Sequence, residues 1–358
     1  MKENAFPRLV VFRDRIVENT RRVVDLCRRS GVTVTGVTKG VCAHPCVVNA
    51  MLEGGCSWLA DSRIENVMLL KKCVPPAPVL LLRIPMPGEI RKVVAHADCC
   101  AVSMTETILL IQRECERTER VYSVLLMFDL GDLREGFWPD EIDSIAATLR
   151  SCPRVCAAGV GVNFGCFGGT IPSVRALEEL VHIRDSLETI LGVPIPMISG
   201  GATSSLSLLE KRLLPKGVNN LRIGEGILLG HDVTRMQNIP YLYRTTMELE
   251  AEIVEIRRKP SVPIGEITYD AFGRTPVFTD RGIRMRAIVA IGKQDVDIDG
   301  LKPCDPGVIV LGASSDHLVL DVDDMVVPPR IGATLRFSLN YSAMLDLATS
   351  PYVPMEIL

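Results

Sequence analysis

Residues 32–39, VTVTGVTK, alternate β-branched residues and close on Lys39, after which come Gly40, Val41 and a loop carrying Cys42, His44 and Pro45. That alternation predicts a short buried strand with a lysine at its carboxyl end. A lysine so placed reads in two ways. It is either a snorkelling or salt-bridged amine, or an amine kept partly dry, whose lowered pKa lets it form a Schiff base or take up a proton. Two other stretches favour the second reading. Ser199-Gly200-Gly201-Ala202-Thr203-Ser204-Ser205 follows an apolar run and opens a helical pattern, Leu206–Leu213. Glycines and hydroxyls there offer N–H and O–H donors to a phosphate. Leu221-Arg222-Ile223-Gly224-Glu225-Gly226 closes the next run with a second small turn of the same kind.

Each turn alone is an ordinary loop. Two of them opposite a strand-end lysine point to a phosphate-bearing cofactor held through an amine, and pyridoxal 5′-phosphate fits best. The elements that must position these groups form a rhythm. Short β-prone runs recur at Val32–Lys39, Cys56–Ser62, Pro78–Arg83, Cys99–Met104, Tyr122–Leu130, Ala157–Phe164, Ile195–Gly201 and Asn220–Gly226. Charged amphipathic stretches such as Ile64–Lys72, Gly88–His96 and Ser173–Leu191 lie between them, and residues 13–30 read as an amphipathic helix. Strand–helix alternation repeated in this way predicts an α/β fold of parallel strands closed into a (β/α)8 TIM-like barrel. Lys39, Asp61, Arg83, Ser103, Asp129, Asn163, Ser199 and Arg222 all fall at or near carboxyl ends of the runs, where barrel enzymes build their sites.

Beyond His231 the pattern becomes β-rich: Met247–Ile256, Gly282–Ile291, Val308–Leu311, His317–Val322 and Ala333–Leu339, separated by Pro and Gly turns. The expected organisation is a barrel domain, 1–232, and a mostly β C-terminal domain, 233–358, to which the first residues of the chain can add a strand. Composition excludes other classes. With 47% hydrophobic and 23% charged residues and a net charge of −3, the chain is globular, with no case for binding nucleic acid or an anionic membrane surface. No apolar run is long enough to span a bilayer, and the N-terminus lacks the character of a signal peptide. A cytoplasmic protein is expected, its 12 cysteines reduced and used as small hydrophobes. Cys42, His44 and Cys46 lack a second pair at ligand spacing, so no metal is expected.

The strings GVTKGVCAHP, LADSRIEN, FDLGDLREG, SGGATSSL, LRIGEGILLG, PSVPIGEITYDAFG, AIGKQDVD and LGASSDHLVLDV, spread over essentially the whole chain, resemble the fold-type III pyridoxal-phosphate enzymes of the alanine racemase superfamily. The branch most similar is that of the alanine/ornithine racemases. The resemblance implies that Lys39 carries the cofactor and acts as one racemising base. It implies that Tyr269 is the base on the opposite face, supplied by the second domain of the other subunit of a homodimer. Arg222 matches the arginine facing the pyridine nitrogen. Ser204, Gly224 and the backbone of Glu225 match the phosphate cradle, with Ser199, Gly200 and Gly201 beside them and Tyr352 on the phosphate. Arg134 matches the arginine near the cofactor's phenolic oxygen and the substrate.

The chain also departs from alanine racemases. Met127 replaces a lysine that is often carbamylated, Asn163 replaces a ring-stacking histidine, and Ser315-Asp316 replaces a substrate-side Met-Asp pair. Loss of that lysine argues against strict alanine specificity, and Ser315 and Asp316 are candidates to hold a longer, cationic side chain. The expected activity is interconversion of L- and D-ornithine. Alternatives are an alanine or broad-specificity racemase, a lyase resembling D-threonine aldolase, and a non-catalytic pyridoxal-phosphate carrier. A lyase of that kind needs a divalent metal beside the cofactor, and the second domain offers no His/Asp ligand pair for one. The carriers are single barrels without a β domain.

Overall fold

All eight expected barrel strands form: Thr33–Val37, Trp58–Asp61, Val79–Leu81, Cys99–Val102, Tyr122–Phe128, Val155–Val162, Met197–Ser199 and Asn220–Ile223. Each pairs in parallel with the next and the last pairs with the first, closing the barrel. The structure, a computed structural model, describes residues 6–74 and 76–358. Because helices cover the outside and side chains fill the inside, the strands read as nearly continuous apolar runs. Val37, Ala60, Leu80, Cys99, Ala101, Leu125 and Met127 pack together in the buried cluster inside the barrel.

The amphipathic pattern at residues 13–30 is the helix Arg13–Arg28, with Ile16, Val17, Val23 and Cys27 turned inward. The helix Val174–Leu191 starts where the Ser173 hydroxyl accepts the Ala176 N–H and stops at Gly192, whose φ of 70° a β-carbon would disfavour. The helical pattern expected at Leu206–Leu213 is shorter. A 3-10 turn, Thr203–Ser205, leads into a helix that spans only Leu206–Glu210, since Arg212 takes a left-handed φ of 57° and Pro215 follows. Among the described residues no helix is long and apolar enough to cross a membrane.

Two compact units divide the chain, one of Arg13–Arg244 and one of Met1–Phe12 with Thr245–Leu358. Residues 1–5 lie outside the described residues. The segment 233–244, expected in the second domain, packs with the barrel unit instead. Its backbone returns to the barrel at Ile239, whose N–H donates to the Gly230 carbonyl (2.9 Å). Asn19, fully buried on the first helix, donates Nδ2–H to the carbonyls of Tyr243 (2.8 Å) and Ile227 (3.0 Å) and accepts the Tyr243 N–H (2.7 Å).

In the other unit an antiparallel sheet runs in the order Leu301–Pro303, Thr334–Leu339, Met247–Pro260, Ile283–Val289, Leu318–Asp321, Ile309–Ala313. Arg8–Val11 adds to it antiparallel against Met247–Pro260 and pairs in parallel with Met355–Ile357. Met247, Leu249, Ala251 and Ile253 alternate into the core. A bulge between Ile253 and Glu255 then changes the face presented.

Asn19→Ala would leave the buried Ile227 carbonyl and the part-buried carbonyl and N–H of Tyr243 without their Asn19 partners, a fully buried orphan costing about 1–3 kcal/mol and a part-buried one less. We expect a loss of at least about 2 kcal/mol in urea unfolding, together with early proteolytic cleavage within residues 233–244. A variant as stable and as resistant as the wild type would contradict this account of the boundary.

Candidate active site

Lys39 begins a single 3-10 turn, Lys39–Val41, directly after its strand. The turn is anchored by Thr38, which is fully buried. The Thr38 N–H donates to the Ala60 carbonyl (2.9 Å) and its hydroxyl donates to Asp61 Oδ2 (2.7 Å). Asp61 Oδ1 accepts the Arg63 N–H and the Asn66 amide, each at 3.0 Å. Cys42 and Ala43 follow with φ of 48° and 54°, a left-handed pair that L-residues hold only where surrounding bonds over-determine it. The Thr38 carbonyl supplies two such bonds, accepting from Val41 and Ala43. The backbone at Lys39 is therefore fixed, but its side chain is not buried. The expectation of a partly dry amine is corrected here: Lys39 is exposed, because the buried layer of the barrel ends one residue earlier, at Thr38. Among the described residues its amine has no hydrogen-bond or ion-pair partner.

The neighbouring strand carries Arg222, in register with Thr35. Arg222 is 4% exposed. Its Nη2 donates to the Val162 carbonyl (2.7 Å) and to Asn163 Oδ1 (2.8 Å), and its Nη1 donates to the Ser199 hydroxyl oxygen. Among the described residues Nε has no acceptor. Burial pushes the guanidinium down to about 10, so it stays charged at neutral pH. Space for it depends on Gly161, where a β-carbon would sit 2.9 Å from Met127 Sδ and 3.3 Å from Arg222 Nη1. Ser199 donates in turn to Asn220 Oδ1 (2.7 Å), and Asn220 donates to Thr35 (2.9 Å). Ser199 thus serves as a prop for Arg222.

Two loops follow the strands beside Lys39. In the first, the N–H groups that open the turn Thr203–Ser205 have no acceptor within the turn. The buried Ser204 hydroxyl has no partner among the described residues. In the second, Gly224 packs against the Lys39 strand, and a β-carbon there would lie 3.1 Å from Val37 Cβ. Thr203 joins the loops, its hydroxyl oxygen accepting the Gly226 N–H (3.0 Å). The Gly200 N–H is spent on the Asn220 carbonyl (2.9 Å), so this glycine serves packing. The Glu225 carboxylate turns away to His231 Nδ1 (3.1 Å), and burial raises its pKa against the pull of that histidine. What remains among the described residues is a set of donors beside a carboxylate already committed to His231 and Val233, which suits a phosphate.

Arg134 lies on a loop wound around Asp129, whose carboxylate accepts the N–H groups of Gly131, Leu133 and Arg134. Asp132, 2% exposed, accepts the N–H groups of Cys166 and Phe167 and so holds the loop after Asn163 in place. Glu135 accepts from Arg134 Nε and Nη2 and from Asn163 Nδ2 (2.7 Å). Sequence reasoning missed Glu135, Thr203 and Asn220. Only the second carried a signal, as a hydroxyl within the phosphate-like turn.

The remaining candidates lie in the β unit, gathered around the turn Gly292–Val296. Tyr269 is 74% exposed on an irregular loop pinned by Asp270, which accepts the N–H groups of Phe272 and Arg274 and pairs with Lys293 (3.6 Å). The Lys293 N–H donates to the Ser314 carbonyl (2.9 Å), and the Ser315 hydroxyl donates to Asp316 Oδ2 (2.6 Å). The Tyr352 N–H donates to the Ser350 hydroxyl, which itself donates to Asp295 (2.6 Å). Tyr269, Ser315, Asp316 and Tyr352, distant in sequence, are thus held by one short turn.

A closed parallel barrel with a free lysine, a buried arginine and a donor-lined double loop at its carboxyl end, joined to a β-sheet unit, defines a class of protein. Residues 11–231 match the alanine racemase N-terminal domain. The chain belongs to the alanine racemase family. It is 41% identical over 348 residues to the lysine racemase of Thermotoga maritima, covering 97% of each chain. It is 38% identical over 354 residues to the ornithine racemase of Acetoanaerobium sticklandii, covering 99% of this chain and 100% of that one. The crystal structure of the alanine racemase of Streptomyces lavendulae superposes with a TM-score of 0.78 at 17% identity, over 100% of this chain and 98% of that one.

Burial pushes the Asp61 carboxyl above the usual carboxylate range despite the donors around it. A carboxyl raised on folding stabilises the fold fully below its unfolded pKa of about 3.9, and that contribution is lost as pH rises through the raised folded value. Across that window wild-type stability should therefore fall relative to Asp61→Asn, which does not titrate. Urea midpoints of the two proteins that run parallel from about pH 3 to 7 would refute this.

Proposed function

We propose that the protein is a pyridoxal-phosphate-dependent racemase of amino acids that carry a terminal amine, with ornithine as its preferred substrate. One observation carries the reading. The partnerless Lys39 amine ends the strand paired with that of Arg222, whose single free nitrogen is Nε, and a donor-lined double loop lies next to both. These groups fit pyridoxal phosphate: an amine for its carbonyl, a donor that cannot give up its proton for the ring nitrogen, and hydroxyl and N–H donors for its phosphate. The long similarity to a lysine racemase and an ornithine racemase supports both the reaction and a cationic substrate.

When bound, the cofactor supplies an electron-withdrawing system that acidifies the substrate's α-hydrogen. Lys39 Nζ would hold it through its carbonyl and, once the substrate amine takes that place, the freed amine would move a proton at the substrate Cα on one face. Tyr269 Oη moves a proton on the opposite face, so that removal from one side and return from the other invert the centre. Arg222 stays protonated and offers Nε as a donor, which keeps a proton off the ring nitrogen and restrains side reactions such as transamination. Ser204 with the N–H groups near Thr203, Gly224 and Glu225 binds the phosphate, joined by the Tyr352 hydroxyl. Arg134 keeps Nη1 for the substrate carboxylate, and Ser315 and Asp316 take its terminal amine.

Tyr269, Tyr352, Ser315 and Asp316 come from the β unit of a partner copy in a homodimer. Their grouping on one exposed rim supports this arrangement. Free thiols at all 12 cysteines fit a reducing compartment, the cytoplasm.

The test is exchange of the α-hydrogen for deuterium with L-ornithine, L-lysine, L-alanine and L-serine, the products being resolved by chiral chromatography. Exchange with inversion is expected first on ornithine, then on lysine. Lys39→Ala should abolish it. Tyr269→Phe should slow racemisation about 10²–10⁴-fold, the usual worth of a positioned acid–base group. Exchange fastest on alanine would reject the diamino-acid reading, and no exchange on any of the four would reject the racemase.

A further inference from the structure

The hydrogen bonds at the barrel mouth form one continuous chain. Arg134 Nε and Nη2 grip the two oxygens of Glu135, the second bond at 2.6 Å. Glu135 Oε1 also accepts from Asn163 Nδ2 (2.7 Å), Asn163 Oδ1 accepts from Arg222 Nη2 (2.8 Å), and Arg222 Nη1 meets Ser199. Each link has only one polarity. Arg222 can only donate, so the oxygen of Asn163 must face it. The amide NH2 of Asn163 must then face an acceptor, and Glu135 is that acceptor.

Charge leads to the same residue. Two arginines belong to this hydrogen-bond chain, and among the described residues Glu135 is the carboxylate that accepts from its side chains. Met127, on the strand that leads into the Arg134 loop, is buried in the barrel core and brings no charge. The other titratable groups near the two arginines are Cys166 and, beside Arg134, Asp132 and Asp129, the last committed to the N–H groups of Gly131, Leu133 and Arg134. Asp132 is already committed to the N–H groups of Cys166 and Phe167.

We propose that Glu135 is the positioning anion of this site: it orients Arg134 toward the substrate carboxylate directly and orients Arg222 through Asn163. The proposal rests on the racemase reading for its kinetic arm only. In Glu135→Gln one oxygen is replaced by a donor, which would face either the arginine fork or the Asn163 amide. The fork opens and the relay loses its fixed polarity.

The proposal is tested on Glu135→Gln, Glu135→Asp, Asn163→Ala and the Gln/Ala double variant, each loaded with pyridoxal phosphate. Two readouts are taken: the pH titration of the bound cofactor's visible band with no amino acid present, and KM and kcat for ornithine. Glu135→Gln should move the midpoint of the band to lower pH, because a carboxylate that favours nearby positive charge is gone. It should also raise KM about tenfold to a hundredfold, the worth of one or two charge-assisted hydrogen bonds, with a smaller change in kcat. Glu135→Asp, which keeps the charge with a shorter reach, should restore most of the midpoint and only part of KM. The double variant should shift the midpoint by less than the sum of the single shifts.

An unchanged midpoint and KM in Glu135→Gln would overturn the proposal, and additive midpoint shifts would overturn the relay to Arg222. Should Glu135→Gln fail to fold, the Asn163→Ala measurement still decides, since the relay predicts a displaced midpoint there and a purely structural role predicts a lowered melting temperature with no displaced midpoint. The band is read without substrate, so a failure there counts against Glu135, whereas a wild type inert toward all four amino acids counts against the racemase reading.

Discussion

A positive charge buried inside a barrel is the constraint from which the rest of this site follows. Removing the Arg222 guanidinium from water is costly unless its donors are met, and burial is the largest of the influences that pull its pKa down to about 10. The surrounding strands meet it with oxygens: the Val162 carbonyl, the Asn163 amide and the Ser199 hydroxyl. Those oxygens need fixed orientations of their own. Asn220 and Thr35 fix Ser199 on one side, and Glu135 fixes Asn163 on the other. Small residues on the facing strand then become necessary, because a β-carbon at Gly161 would press on both Met127 and Arg222.

The same economy governs the backbone. Buried carboxylates do little chemistry in this chain and a great deal of anchoring. Asp61 fixes the turn at Lys39 through Thr38, Asp129 winds the Arg134 loop, and Asp132 ties down the loop after Asn163. Each satisfies several N–H or hydroxyl donors that irregular backbone would otherwise leave unmet. In the β unit, Asp270 and Asp295 perform the same task on the exposed rim that carries Tyr269 and Tyr352.

Legibility in the sequence followed the range of the interaction. The barrel strands were readable because a strand buried on both faces is apolar along its own length, whatever its partner. Leu301–Pro303 and Met355–Ile357, three residues each, have no such local pattern and exist only through their neighbours in the sheet. The segment 233–244 looked like the start of a new domain by composition, yet Asn19, over two hundred residues away, ties it to the barrel. At the site, Lys39 and the phosphate-like turns were visible because strand ends and glycine–hydroxyl turns are local. Solvent exposure of Lys39 was not visible, since it depends on where the buried layer stops. The Tyr269 loop has no regular structure to predict, and only its resemblance to a family marked it.

Glu135 shows why a neighbour in sequence can be hard to read. Adjacent side chains in an extended segment point to opposite sides, so Arg134 and Glu135 would ordinarily diverge. Here the loop is closed on itself. Asp129 N–H donates to the Phe137 carbonyl (3.0 Å) and Phe137 N–H donates to the Met127 carbonyl (2.7 Å), clipping the end of the loop back onto its own strand. Closing so tight a ring demands unusual backbone. Leu133 takes a φ of 54°, and Gly136 takes 153° where a β-carbon would lie 2.2 Å from the Asp129 nitrogen. Glycine at 136 is thus a geometric requirement of the ring, and the ring brings both side chains onto one side. The carboxylate beside Arg134 is therefore set by two backbone hydrogen bonds and one missing β-carbon.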